Sequence, residues 1–545
     1  MKNFSQIITQ VNSDLLKDKS NRLFESLTNK DYFSYIGITT ILFNQEAPVK
    51  AQSSISSIES LLSSTTANDF TVFPDTNSSL NSGSLSHQTV DTHNLSTADL
   101  DCHSHHSLSN NDLTPELNSQ AASSYTTEID ALLGTSLSWI DNTISYSFMT
   151  TVPDYYDLNA EEQYQFIAFN QTQQVAAKRA LQLYSEVSGL NFVEVSDAGA
   201  GGTIRFGTAN MEHGSAHAYL PSKHAIGGDI WLNNSYSPNL TQSNGSDGFD
   251  TLIHEIGHAL GLKHPGNYNA GGGGAEGPYL YPELDSNQYT VMSYNEHSGS
   301  LANPETPMLY DIAAIQYLYG ANYDTRAENT TYAWDTNQAF MQTIWDGGGV
   351  DTIDASNQAL SAIIDLNPGN FSSIGSYDGS FSNRASNNLA IAYEVTIENA
   401  IGSAADDILI GNSIDNYLSG GLGNDYLVGG AGSDILIGGS GNDTLVGYSG
   451  GTEYDLLTGE FGNDTFVLGE SSGVFYQGDE YAIITDFNWE YDYIQVNGTT
   501  SQYSLGTGNW VGSSAQDTAI FYGNDAIAVV QDSTSVNFER DFLFV

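Results

Sequence analysis

From Gly402 onward, apolar residues recur on a nine-residue frame, separated by turns of Gly, Asp and Asn. Leu409, Leu418, Leu427, Leu436 and Leu445 hold its eighth place, and Leu457 and Phe466 resume it after a turn with three extra residues. A six-residue glycine-rich turn followed by a three-residue strand predicts a parallel β-roll whose eighth-place side chains stack inside. A flexible glycine linker would not keep these residues in register. The segment Tyr481 to Val545 reads as strands capping the roll.

Upstream the period changes. Trp139 to Phe148 alternates as a strand does, and further strands are expected at Asn191 to Val195, Thr203 to Gly207, near His217 to Leu220, and at Asp229 to Asn233. Between them, Phe166, Phe169, Val175, Ala176, Leu181 and Tyr184 fall broadly on one helical face, predicting a helix from about Ala160 to Ser188 that Gly189 closes. A second helix, capped by Asp250, is expected to run to about Leu260 and to end at Gly261. These elements make an α+β domain over 126–322, followed by an all-β domain over 323–545 with repeats at about 402–468. Residues 1–125 are different: after a possible helix near Ile7 to Leu27, Ala51 to Ser124 is rich in Ser, Thr and Asn, and is expected to be a mostly disordered pro-region.

Charge narrows the list of partners. The formal net charge is -51, from 65 acidic and 14 basic residues, and no Lys or Arg lies between Arg384 and Arg540. That excludes nucleic acid and anionic membranes and favours cations. Asp407, Asp425, Asp434, Asp443 and Asp464 stand at the sixth place of the repeat, where a hard oxygen suits Ca2+; Asn416 replaces the acid in one turn. The repeat itself is the RTX calcium-binding nonapeptide. One cysteine, Cys102, excludes an internal disulfide framework, and no apolar run approaches the ~18 residues of a membrane span. Asp101-Cys-His-Ser-His-His106 is either an accidental cluster in the leader or a thiolate that occupies an open metal position until cleavage.

The sharpest chemistry is His254-Glu-Ile-Gly-His-Ala-Leu-Gly-Leu-Lys-His264. On a helix His254 and His258 leave one face, and a turn at Gly261 brings His264 round as a third nitrogen, leaving tetrahedral Zn2+ one open position. Thr290-Val-Met-Ser-Tyr-Asn295 downstream supplies a Met-turn, with Met292 beneath the metal and Tyr294 near it. These motifs, together with His264-Pro-Gly-Asn-Tyr-Asn-Ala-Gly and Pro307-Met-Leu-Tyr-Asp-Ile-Ala-Ala-Ile-Gln-Tyr-Leu-Tyr-Gly-Ala-Asn322, resemble the serralysins, metzincin zinc endopeptidases with RTX repeats. The resemblance covers about three-quarters of the chain.

It implies a secreted, extracellular monomer that hydrolyses protein or peptide substrates. Glu255 would be the general base and Tyr294 a displaceable fifth zinc ligand and oxyanion donor. The strand near His217 would carry the substrate, with His217 lining the cleft. The ending Asp541-Phe-Leu-Phe-Val545 resembles the terminus that type I secretion machinery accepts. The competing class, a calcium-rigidified adhesin, predicts loss of Glu255 or a histidine, and all are retained.

Overall fold

The computed structural model describes residues 117–119, 127–133 and 137–545, apart from 213, 270–273, 276, 381 and 452. The pro-region reading of 1–125 and the Cys102 cluster therefore lie outside the described residues, save for β1 (Leu117–Ser119), which pairs antiparallel with β2 (Leu137–Trp139).

A short helix α1 (Thr127–Leu132) leads into a five-stranded sheet of order β4-β3-β5-β7-β6. Its strands are β3 (Thr143–Phe148), β4 (Asn191–Glu194), β5 (Ile204–Ala209), β6 (Ala216–Ala218) and β7 (Asp229–Asn233). All pairs are parallel except β6 with β7, which leaves β6 at an edge. Helix α2 (Gln171–Val187) and helix α3 (Asp247–Ala259) pack Ala177, Leu181, Tyr184, Leu252 and Ile256 against Ile204, Phe206 and Ile230.

Two helix boundaries differ from expectation. Helix α2 begins at Gln171, because Asn170 and Gln173 form a reciprocal capping box with both bonds at 3.0 Å. Phe166 precedes the helix and packs edge-on to Trp231, while Val175 faces solvent, 57% exposed. Ser188 ends the helix in extended conformation. Gly189 has no left-handed role there; a Cβ on it would lie 2.7 Å from the carbonyl oxygen of Tyr319. Helix α3 begins one turn earlier than expected. Its cap is Ser246, whose Oγ accepts from Phe249 N, so Asp250 is inside the helix and does not cap it.

Helix α4 (Leu309–Tyr319) closes this core, and Val187 and Ile312 join the apolar cluster of the following domain. That domain is a roll of two parallel sheets. In one, Leu409, Leu427, Leu445, Phe466 and Ile494 pair in register; in the other, Leu418, Leu436, Leu457 and Ile484 do. Each coil thus takes two nine-residue repeats, and every eighth-place side chain from Leu409 to Phe466 is fully buried. At the turns Gly430 has φ +98°, and a Cβ there would lie 2.2 Å from the Asn412 carbonyl oxygen of the coil below.

The roll extends beyond the glycine frame. Thr352–Asp354, Ile363–Asp365 and Asn399–Ile401 already stack in parallel with it, and Phe542–Phe544 adds an edge strand beside Tyr493–Val496. The acidic-apolar ending is therefore folded: Asp541 is buried, its Oδ2 accepting from Asn537 N at 2.7 Å. Among the described residues no helix is long and apolar enough to cross a membrane.

Candidate active site and calcium turns

Helix α3 presents His254 and His258, and the chain turns at Gly261, φ +112°, to bring in His264. The Nε2 atom of His264 lies 3.2 Å from that of His254 and 3.0 Å from that of His258. Each ring is fixed from behind. Nδ1–H of His254 donates to Val291 O (2.7 Å), that of His258 to Leu262 O (2.8 Å), and that of His264 to Asn269 Oδ1 (2.8 Å). With Nδ1 carrying the proton, all three Nε2 lone pairs converge on one point, which is the donor set tetrahedral Zn2+ takes. Burial and the neighbouring imidazoles hold His254 down at about 3 and push His258 well below the usual histidine range, and burial, with Lys263 nearby, lowers His264, which favours neutral rings.

The carbonyls at the end of α3 are anchored as well. Trp139 Nε1 donates to Ala259 O (2.9 Å) and Tyr319 OH to Leu260 O (2.7 Å). Met292 is fully buried beneath the helix; a Cβ on Gly257 would sit 2.7 Å from its Sδ. The Met-turn hangs on Asp311 of α4, whose carboxylate accepts from Thr290 Oγ1 (2.6 Å), Val291 N (2.7 Å) and Met308 N (2.9 Å). Neither Asp311 nor Asn269 shows its role in the sequence, because each acts on a partner brought close only by the fold.

Glu255 is buried with Oε2 unpartnered, and burial pushes its carboxyl up to about 8. It lines a cavity of about 400 Å³ with His254 and Tyr294, bounded on one side by Gly214 to Ala216 at the edge strand. The Tyr294 ring stacks on His254 at 5.8 Å between centroids and lies 4.6 Å from that of His264, with 48% of the residue exposed. Behind it Tyr268 stacks at 4.9 Å, its OH donating to Asp285 Oδ1 at 2.6 Å.

His217 is not brought to the site. Alternation along β6 sends Ala216 to the cavity and His217 to the other face, where its Nε2 meets Glu162 Oε1 at 3.2 Å.

In the roll, Asp425 Oδ1 accepts from Asp407 N, Asp443 Oδ1 from Asp425 N, and Asp434 Oδ1 from Asn416 N, all at 2.8 Å. The second oxygens, Oδ2 of Asp425, Asp434 and Asp443, are buried without a partner. Buried, unpartnered carboxylate oxygens at glycine turns are the hard donors a Ca2+ site uses. Burial and stacked neighbouring carboxylates raise Asp425 to about 8, and Asp443 and Asp464 to about 7.

One expected calcium position, Asp407, comes out differently. Asp407 is saturated by Ala362 N, Ser403 N and Ser403 Oγ, so it has little left for an ion. The Asn416 amide is likewise satisfied, by Asn412 N (2.7 Å) and Glu398 O (3.0 Å). The three-residue insertion had hidden two acids: Asp455, which takes the sixth-place position and accepts from Asp434 N, and Glu453, whose Oε2 is buried and unpartnered.

A sheet with an edge strand, an anchored helix carrying two histidines, and a third histidine over a Met-turn have the layout of the metzincin zinc metalloproteases. Comparison with known proteins agrees and is more specific. Residues 138–270 match the Matrixin family, 310–437 the Peptidase M10 serralysin C terminal, and 437–473 the RTX calcium-binding nonapeptide repeat (4 copies). Metallopeptidase AprA of Pseudomonas marginalis is 39% identical over 297 residues, covering 49% of this chain and 59% of that protein. Serralysin of Proteus mirabilis is 36% identical over 300 residues, 49% and 58% of the two chains. Serralysin A of Dickeya chrysanthemi is 37% identical over 270 residues, 45% and 54%. In this order of domains the chain is similar to serralysin-type metalloproteases over about half its length, and its histidine triad and repeat turns fit Zn2+ and Ca2+. The match spans under two-thirds of the length of these relatives.

Proposed function

We propose that the protein is a secreted endopeptidase that hydrolyses peptide bonds of protein substrates, exported by a type I machine and folded outside by calcium. One observation carries the reading: three neutral imidazoles converge beside an unpartnered, buried Glu255 in a cavity bordered by an edge strand. His254, His258 and His264, with Tyr294 beside them, would hold zinc, which would supply Lewis acidity toward the scissile carbonyl and the attacking water.

The chain's own groups do the rest. The open edge of β6 pairs with an extended peptide, holding its scissile bond over the histidines. Glu255 takes a proton from the attacking water and delivers it to the departing amine. Tyr294, its ring beside His254 and His264, would donate a hydrogen bond to the oxyanion. Residues 1–125 act as a pro-region that keeps the enzyme a zymogen until cleavage.

Casein digestion tests this. Activity should vanish with a zinc chelator, return with Zn2+, and fall by several powers of ten in Glu255→Gln while zinc content and circular dichroism stay those of the parent. Retained proteolysis in that variant would remove Glu255 from the mechanism.

A further inference from the structure

The edge strand β6 is short, and within the sheet it is paired on one side alone, to β7. Ser215 O accepts from Asn233 N at 2.9 Å, and Tyr219 N donates to Asp229 O at 3.0 Å. By the alternation of an antiparallel ladder, the backbone N–H and C=O groups of Ala216 and Ala218 then point to the open edge. The two ends of the strand are fastened differently. At its start, Asn239 Nδ2 donates to Ser215 O at 2.6 Å and Asn233 Nδ2 to Gly214 O at 2.8 Å. Toward its end one carboxylate holds two residues of the face opposite the cavity: Glu162 Oε1 meets His217 Nε2 at 3.2 Å and accepts from Tyr219 OH at 2.8 Å.

We propose that Glu162 is a positioning residue for the substrate: by holding His217 and Tyr219 it keeps the outward backbone groups of Ala216 and Ala218 aligned for an extended peptide. It then sets affinity for long substrates and not the rate of bond cleavage. The proposal rests on the endopeptidase reading.

Glu162 is buried, and a buried carboxylate is costly unless its bonds offset the loss of water. Burial pushes its carboxyl up, but the bonds from His217 and Tyr219 outweigh that and hold it down at about 2. Both bonds are therefore charge-assisted. The turn that carries it, Glu161–Gln163, is itself anchored to the sheet. Asn210 N donates to Tyr164 O at 2.9 Å, and just before the turn Tyr156 OH accepts from Trp231 Nε1 of β7 at 2.8 Å. His217 and Tyr219 brace each other as well, ring edge to ring face with centroids 5.4 Å apart. On the other face Ala216 and Ala218 carry methyl groups, which pack but form no hydrogen bond that fixes the strand. The clamp thus grips the residues between and beyond the two that face a substrate backbone.

The test uses the full chain loaded with zinc and calcium and two quenched fluorescent peptides with the same scissile bond, one of about four residues and one of about ten, long enough to pair along β6. In the parent, KM for the long peptide should be lower by about tenfold or more. Glu162→Ala should raise that KM by about tenfold, with kcat within about twofold of the parent and the short peptide's KM moved by less than about twofold. Glu162→Gln keeps an oxygen for both donors and should restore most of the parental KM. Where Glu162→Ala yields no folded protein, Tyr219→Phe decides: it loses one of the two bonds, keeps the ring, and should raise KM about threefold for the long peptide alone. An unchanged KM for the long peptide, or an equal loss of kcat on both peptides, overturns the positioning role. A parent that cleaves but gains nothing from peptide length overturns it too and leaves the endopeptidase reading standing. A zinc-loaded parent that cuts neither peptide nor casein overturns the endopeptidase reading and this proposal with it.

Discussion

At the scale of single residues, two of the histidines lean on backbone carbonyls, of Val291 and Leu262, and the third leans on a side chain, Asn269. Only that third support can be removed by mutation without disturbing the main chain. Asn269→Ala frees the His264 ring to rotate and to change tautomer, so zinc affinity should fall by about 10- to 100-fold, measured by competition with a chelator of known affinity. Unaltered affinity would mean that His264 is held by packing alone. Tyr294 is the complementary case, half-exposed and held by ring stacking on His254 and Tyr268. Tyr294→Phe keeps the rings and loses the hydroxyl; kcat should drop by about 10²-fold, the size of a lost oxyanion donor, with zinc content near that of the parent. If zinc is lost instead, the tyrosine is chiefly a structural ligand.

At the scale of elements, legibility in the sequence tracked the kind of signal. The roll core was readable because a nine-residue period forces Leu409 through Phe466 into one buried column, and the structure has all seven there. The histidine helix was readable because i, i+4 spacing sets its face. Helix starts were less so. Asn170 and Ser246 each act through a bond to an amide three residues on, and in sequence neither stands out from nearby polar residues such as Gln171 or Asp250. The early coils, Thr352–Asp354 and Ile363–Asp365, lie before the regular frame that begins at Gly402; Gly347 to Gly349 precede the first, but the pairing of both with Asn399–Ile401 and Ile408–Ile410 far ahead in the chain is a contact that spacing does not show. His217 was misread because the one-residue alternation of a strand decides between cleft and opposite face. The roll reading makes its own prediction. Leu436 lies fully buried mid-column, paired on either side with Leu418 and Leu457; Leu436→Ala should cost about 2–5 kcal/mol of the calcium-bound domain's stability in a urea unfolding series. A loss well under 1 kcal/mol would show a column loose enough to collapse around the gap.

At the scale of the whole molecule the dominant quantity is charge: net -51, with a basic-free stretch from 385 to 539 that contains the entire repeat column. Folding the roll stacks Asp425, Asp434, Asp443 and Asp464 in buried turns, and that burial together with the neighbouring carboxylates raises all four above the ordinary range, to about 8 for Asp425 and about 7 for Asp443 and Asp464. An acid whose pKa is higher in the folded state than in the open chain makes folding take up protons. Without calcium the roll should therefore lose stability as pH rises from about 4, where the open chain's carboxylates ionise, to about 8. Calcium replaces those protons with a charge that the orphaned Oδ2 atoms can share, and it binds the open chain scarcely at all, so it stabilises by mass action. Two outcomes follow for the full chain, read by far-ultraviolet circular dichroism during calcium titration. In chelator at about pH 8 the β signal of the roll should be missing and should appear cooperatively as calcium is added. From about pH 8 down to about pH 6 the calcium concentration at the folding midpoint should fall, because protons taken up by the folded carboxylates already supply part of the stabilisation. Combining Asp425→Asn, Asp434→Asn and Asp443→Asn removes the three orphaned oxygens and the repulsion together, so that variant should lose the calcium response and the pH dependence as a pair. A parent fully folded in chelator at about pH 8 would sink the coupling of folding to calcium, and so would a triple variant that folds at the parent's calcium concentration.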